Sequence, residues 1–386
     1  MTVAESSLGI DIVRTKDLAD YVNRPGVLDG RVVPICRLRA AAHAANPSAS
    51  PDDPALIVAS RGDACVGYLG LMPGELRVDG VIRKIFWYST WYSAPDPESQ
   101  GVGGVLVHAS LRLGVDIATT GLDPKTFPFF RGLRFRELGP LRYLALDFDR
   151  LDPLGLPWRV LQVVLRRRGI RSAAVTTVFR VLRGVSKRVG YALAAPGRSK
   201  LAGDYDFEEI AELPADAAGE EPSSPVTFHR SVQTVRWALH YPWITDQPKQ
   251  STPRYEFSDL RELARFVVLR VRRSTTSEEL GHLVLSVCRD QEGITIVKAL
   301  DRFLSCDDRD RVVLAAALRY AHAYRADRVH VPEGCLPHTL ELGWISRTFR
   351  MRQRVYFCRP ARSRSVLGPE LDRIGLQYCD GDTPFT

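Results

Sequence analysis

The segment from residue 81 to residue 113 constrains this chain more than any other. Val81 to Ser93 reads VIRKIFWYSTWYS and stops at Ala94-Pro95-Asp96-Pro97. Aromatic and β-branched side chains fit a pleated, half-buried surface, and proline removes ladder donors, so the run predicts a long strand with a hard end. Ser99-Gln100-Gly101-Val102-Gly103-Gly104 follows at once, and then Val105, Leu106, Ala109, Leu111 and Leu113 fall at spacings that suit an amphipathic helix. A further short strand is expected at Val115 to Thr119. Strand, glycine turn, helix and strand in that order make a layered α/β arrangement.

The flanks extend it. Ala55 to Ser60 and Ala64 to Leu71 predict a hairpin about Arg61-Gly62-Asp63, a turn and not an adhesion motif. Pro124 to Phe130 predicts a helical turn closed by Gly132, and Leu141 to Phe148 a closing strand. A similar pattern returns later: strands near 266–272, 280–289 and 293–300, a helix over 311–324, a strand at 328–332, then Gly343-Trp344 and a last strand over 353–359. Helix start, strand start and closing glycine fall at 101, 115 and 132 in one half and at 310, 327 and 343 in the other, which points to a duplication. The acidic, loop-like stretch 213–225 reads as a linker or surface excursion. The expected domains are 1–150, a basic linker over 151–204, a second domain over 205–362 and a tail over 363–386.

Charge narrows the function classes. The net charge of +8 is concentrated between Arg150 and Lys200, where twelve basic residues face one acid, Asp152, so the remainder of the 386 residues is slightly acidic. No specific nucleic-acid binding is expected from such a distribution. Residues 158–191 interleave apolar residues with arginines, as a solvated interdomain helix would, or a helix resting on an anionic membrane surface. The seven cysteines are scattered with no C-x-x-C pair, so neither zinc nor a disulfide framework is expected. The first residues lack a signal-like pattern and no apolar run is long enough to span a bilayer, so the expected location is cytoplasmic, with peripheral contact at the inner membrane face as a second expectation.

A glycine turn at a helix N-terminus offers unobstructed backbone N–H groups and the positive end of the helix dipole to a diphosphate. The plainer alternative is a tight connection and nothing more. Gly104 is followed by Val105-Leu106, so the turn is not a Walker A loop, and a dinucleotide fingerprint would need a third glycine at 106.

The long strand with its proline stop, the Q-x-x-G turn, helix, strand and Phe130 to Phe135 together resemble the GCN5-related N-acetyltransferase (GNAT) family, whose turn is commonly R/Q-x-x-G-x-G/A. Gln100 and Gly103 match, whereas the closing small residue falls on Val105. The resemblance implies two acyl-CoA N-acyltransferase-like domains of α/β (α+β) class, each a mixed, mostly antiparallel sheet flanked by helices. It implies acetyl-CoA or another acyl-CoA as cofactor, held by Tyr92 and Ser93 at the strand end and by Gln100, Gly101, Val102, Gly103, Gly104 and Val105. The second half carries Ser305-Cys306-Asp307-Asp308-Arg309-Asp310 at the equivalent place, where acids would repel a diphosphate. Tandem members with an Arg-Trp such as Arg236-Trp237 imply an amino-sugar or glycan-linked amine of envelope or polysaccharide pathways as acceptor.

Acyl transfer to an amine needs a proton acceptor and support for the departing thiolate. Glu98, Asp96 and His108 are the candidate bases, each with a plainer reading as a loop cap or solvated side chain. The family's tyrosine falls on Phe130, which has no hydroxyl; Tyr88, Tyr92, Tyr143, water or proximity alone would have to serve. Trp87, Trp91 and Tyr92 are expected to pack the sheet. Two other readings stay open: a silent GNAT-fold binding or scaffold protein, and an aminoacyl-tRNA-dependent transferase binding tRNA through Arg166, Arg167 and Arg168.

Overall fold

The computed structural model describes residues 7–148, 203–217, 224–361 and 374–377, with 164, 201, 371, 380 and 381. In chain order its elements begin β1 (Leu8–Arg14), α1 (Leu18–Val22), α2 (Arg37–Ala44), β2 (Pro54–Arg61), β3 (Ala64–Val78), β4 (Val81–Ser93), α3 (Val102–Leu111), β5 (Ile117–Thr120), α4 (Phe127–Gly132) and β6 (Arg136–Asp147). They continue with β7 (Tyr205–Ile210), β8 (Val226–His229), α5 (Val232–His240), β9 (Leu263–Arg273), β10 (Glu279–Arg289), β11 (Thr295–Leu304), α6 (Arg309–Tyr324), β12 (Arg328–Pro332), α7 (Leu336–Thr339), β13 (Phe349–Arg359) and β14 (Ile374–Gly375).

The chain divides into two compact units. The first takes the described residues within Met1–Leu141, Glu221–Arg261 and Arg354–Thr386. Its sheet runs β1-β2-β3-β4-β5-β13, with β8 on the far end of β3 and β14 on β8. Pairing is antiparallel except at β4/β5 and β14/β8. Six successive residues of β4, Ile85 to Thr90, are buried, because both faces of the sheet are covered. On one face Phe86, Tyr88, Phe130 and Phe357 pack with Val102, Leu106 and Val107 of α3. On the other, Val13, Leu56 and Tyr68 pack with Leu18, Val22 and Ala40 of α1 and α2.

The second unit takes the described residues within Arg142–Glu220 and Glu262–Gln353. Its sheet runs β7-β9-β10-β11-β12-β6, parallel only at β11/β12. Helix α6, with Val312 through Leu318 nearly all inaccessible, packs on Leu283, Leu285, Val297 and Val329. Mixed, mostly antiparallel sheets flanked by helices are the expected fold class.

The repeated order is present as β4-α3-β5 and β11-α6-β12, but the linear boundaries at 150 and 205 are not those of the units. Each copy sends its next strand to the other unit: Tyr143–Asp147 of β6 pair with β12, and Tyr356–Arg359 of β13 pair with β5. Sequence reading closed each half on its own strand, because pattern specifies a strand and not its partner. It also did not single out β1, α1, α2, β7, β8 or α5. The basic linker, including 158–163, 165–191 and Arg166–Arg168, and most of the tail lie outside the described residues. Among the described residues no helix is long and apolar enough to cross a membrane.

Candidate functional site

The first unit opens where β4 leaves β5. The two are paired in parallel through Phe86↔Ile117 and Trp87↔Ala118. Beyond Trp87, β4 runs on to Ser93 against β3 alone. At the same point β4 bulges: Tyr88 pairs with Leu71 and Thr90 with Gly70, leaving Ser89 over. An extra residue bends a strand and raises its local twist, which turns the outer half of β4 away from its neighbour. Gly70 makes the bulge possible, since a Cβ there would lie 2.5 Å from Ser89 Oγ and 2.6 Å from Thr90 Oγ1. Its N–H donates to Thr90 Oγ1 at 3.2 Å.

The outer half of β4 leads straight into the glycine turn. Pro97–Ser99 form a 3-10 turn capped by Asp96, whose carboxylate accepts from Ser99 N–H at 3.0 Å. Gly101 then takes φ +84° as the cap of α3, and a side chain there would meet nothing within 4 Å. Gly104 and Val105 N–H groups turn back to the Gly101 carbonyl at 3.0 and 3.2 Å, and Gln100 N–H to that of Pro97. The amides of Gly101, Val102 and Gly103 are the start-of-helix donors left without an intrahelical acceptor. Gln100 and Val105 are exposed beside them. Gly103, expected at the centre of the anion site, also packs against an aromatic ring. A Cβ there would be 3.2 Å from the Trp91 ring, and Trp91 Nε1 donates to the Gly103 carbonyl at 3.1 Å. The Trp91 ring also stacks on Phe129, 5.9 Å between centroids at 12°.

The other face of the bulge is tied down. Arg39 of α2, almost fully buried, donates from Nη1 to the Ser89 carbonyl at 3.1 Å, and its guanidinium lies 4.1 Å from the Trp243 ring. Tyr255 and Phe257 complete the cage. Beside it His43 is buried, and burial with the Arg39 charge pulls its imidazole down to about 3.

The proposed catalytic groups fare unequally. Tyr92 lies on the free half of β4, its ring 5.5 Å from Tyr68, and burial pushes its hydroxyl up from the usual tyrosine value. Ser93, next to it, is half-buried. Asp96 is a cap and ion pair: the Ser99 hydrogen bond and Arg31, 3.1 Å away, hold it below the ordinary carboxylate range. Glu98 is exposed in the 3-10 turn, its carbonyl accepting from Arg61. His108 is exposed six residues into α3, about 9 Å along the axis from the turn. Tyr92 thus packs with Tyr68 on the α1/α2 face of the sheet, opposite the cluster that holds α3, and His108 stands away from the turn. Phe130 is buried among Tyr88, Trp91, Phe135 and Phe357. Tyr88 is bound to Ser110 Oγ at 2.5 Å in the core, and Tyr143 falls in the second unit against His330. The Tyr88 hydroxyl is thus engaged within the core. Gly70 and Arg39 were not anticipated; a glycine inside a strand pattern is the signal that could have found the first.

The second unit repeats the opening without the turn. Parallel pairing covers Ile296–Lys298, and β11 then bulges at Leu300. At the start of α6, Asp308 accepts from Tyr205 and pairs with Arg273, and Asp310 pairs with Arg302 while the Gly334 backbone lies against its carboxylate. Paired acids fill the place that glycine amides hold in the first unit.

No protein-family profile matches the chain, and no curated protein matches it. Solved structures do. A tandem GNAT protein from the clavulanic acid biosynthesis pathway is similar over 93% of this chain and 100% of its own, at 15% identity and TM-score 0.47. A GCN5-related N-acetyltransferase from Anabaena variabilis is similar over 92% and 73%, at 11% and 0.46. Saccharomyces cerevisiae N-myristoyltransferase, with bound myristoyl-CoA and inhibitors, is similar over 96% and 87%, at 9% and 0.48. At such scores none of the three decides what the chain does.

Proposed function

We propose that the first unit is an N-acyltransferase that moves an acyl group from an acyl-CoA to the primary amine of a small acceptor, of the amino-sugar or glycan-linked class. One observation carries the reading: β4 separates from its parallel neighbour at a bulge and ends in a glycine turn whose helix-start amides have no intrahelical acceptor. The residues fit the carrier. Amides of Gly101, Val102 and Gly103 are disposed to hold a diphosphate, with Gln100 beside them, and the free half of β4 from Tyr88 to Ser93 offers backbone groups to an amide-containing arm. Bound acyl-CoA would supply the thioester carbonyl. Tyr92, on the free half of β4 and with its hydroxyl pushed up by burial, would be the group that supports a leaving thiolate, and positioning supplies the remainder.

Calorimetric titration with acetyl-CoA tests the site. Gln100→Glu and Val105→Glu each put a negative charge at exposed positions of the turn and should weaken affinity about tenfold, with the folding midpoint nearly unchanged. Equal affinity in both variants would remove the turn from the site. A second reading, a fold that binds the carrier without turning it over, is favoured by the buried Phe130 and by the Tyr88 hydroxyl locked onto Ser110. Release of free thiol from acetyl-CoA in the presence of D-glucosamine separates the two; binding without release supports the second.

A further inference from the structure

A hollow in the first unit lies on the sheet face opposite α3, with Trp87 as its wall nearest the β4/β5 opening. Glu75, Trp87, Phe228, His229, Trp237 and Asp380 are among its walls. Phe86 and Tyr88 pack with α3, so by strand alternation Trp87 points the other way. Trp87 is also the last β4 residue paired with β5, which puts one wall of the hollow at the apex of the opening.

The walls are held in place. Trp87 and Phe228 rings lie 4.5 Å apart, and Trp237 Nε1 donates to the Ala42 carbonyl at 2.9 Å. Glu75 Oε1 accepts from Ser48 Oγ at 3.1 Å, and its Oε2 lies 4.0 Å from His229 Nε2. Asp380 is almost fully buried, its carboxylate accepting from Gln377 N–H at 2.6 Å. With Arg230 against Glu75 and Asp380, the lining carries one net negative charge when His229 is neutral. The volume of the hollow, about 40 Å³, exceeds the roughly 10–15 Å³ that one water needs on the same measure, so it has room for a small head group. Aromatic faces beside carboxylates favour a cation, and they penalise a carboxylate or phosphate.

We propose that this hollow receives the ammonium head of the acceptor amine, held by Glu75 against the faces of Trp87 and Trp237 on its way to the opening. The proposal rests on the acyl-transfer reading and adds the side from which the amine enters and the residues that recognise it. Glu75 and His229 are positioning residues here.

The test is tryptophan fluorescence of the full chain, without acyl-CoA, titrated with D-glucosamine hydrochloride and ethylammonium chloride, with D-glucose and sodium chloride as controls. Both amines should give a saturable change that the controls do not. Glu75→Gln should weaken the amines about tenfold or more and leave acetyl-CoA affinity unchanged, whereas Glu75→Asp, which keeps the charge, should retain most of the binding. Failure of both amines to bind, or binding indifferent to Glu75→Gln, would overturn the proposal. Glu75-dependent amine binding in a chain that does not bind acetyl-CoA would leave the hollow standing and remove the acyl-transfer reading. Acetyl-CoA turnover whose amine KM is unmoved by Glu75→Gln would do the reverse.

Discussion

Gly70 shows how one residue can set a site it never touches. Its missing Cβ leaves room for the Ser89 and Thr90 hydroxyls at the bulge, and its N–H holds one of them. In Gly70→Ala those hydroxyls must turn away and the hydrogen bond is lost, which should lower stability by about 1 kcal/mol in urea unfolding. Acetyl-CoA affinity should fall several-fold at the same time; an unchanged affinity would show that the bulge does not shape the opening. His43 makes a second prediction. Its folded value, about 3, lies well below the ordinary 6.5. The unfolded chain therefore takes up a proton that the folded chain refuses, so this group's contribution is complete above pH ~6.5 and is lost as pH falls toward 3, by up to about 1.4 kcal/mol per pH unit. Urea unfolding at pH 7 and pH 5 should show that loss in the wild type and a shallower one in His43→Leu; identical slopes would contradict it.

At the scale of elements, much of the first unit was legible. The strand Val81–Ser93 has the expected bounds, because aromatic and β-branched residues run unbroken up to a proline. The helix after the glycine turn and the short strand after it were also readable from spacing. The opening between β4 and β5 was not. It depends on where pairing stops, a non-local property, and on a one-residue bulge that periodicity does not register. Helices α1 and α2 were missed because Leu18–Val22 is too short, and the alanine-rich Arg37–Ala44 too weakly apolar, to show a stripe. Of the candidate bases, Asp96 and Glu98 sit in the turn, whereas a rise of about 1.5 Å per residue carries His108 away from it.

The two units share a plan and differ in what fills it. Both carry a strand that bulges where it leaves a parallel neighbour, followed by a helix packed on the sheet. The exchange of β6 and β13 was beyond sequence pattern, since either strand satisfies either sheet's need for an antiparallel neighbour. The difference at the helix starts was legible: glycines in one, Asp307, Asp308 and Asp310 in the other. In the second unit Asp308 and Asp310 are engaged by Tyr205, Arg273 and Arg302, and Arg311 is bound to Asp204 and Glu341, so charge and occupancy both disfavour a diphosphate there.

Calorimetric titration of the full chain with acetyl-CoA puts the central claim to the test. The expected result is a single site per chain whose affinity drops in Gln100→Glu. Two equivalent sites, or no heat at millimolar acetyl-CoA, would contradict it.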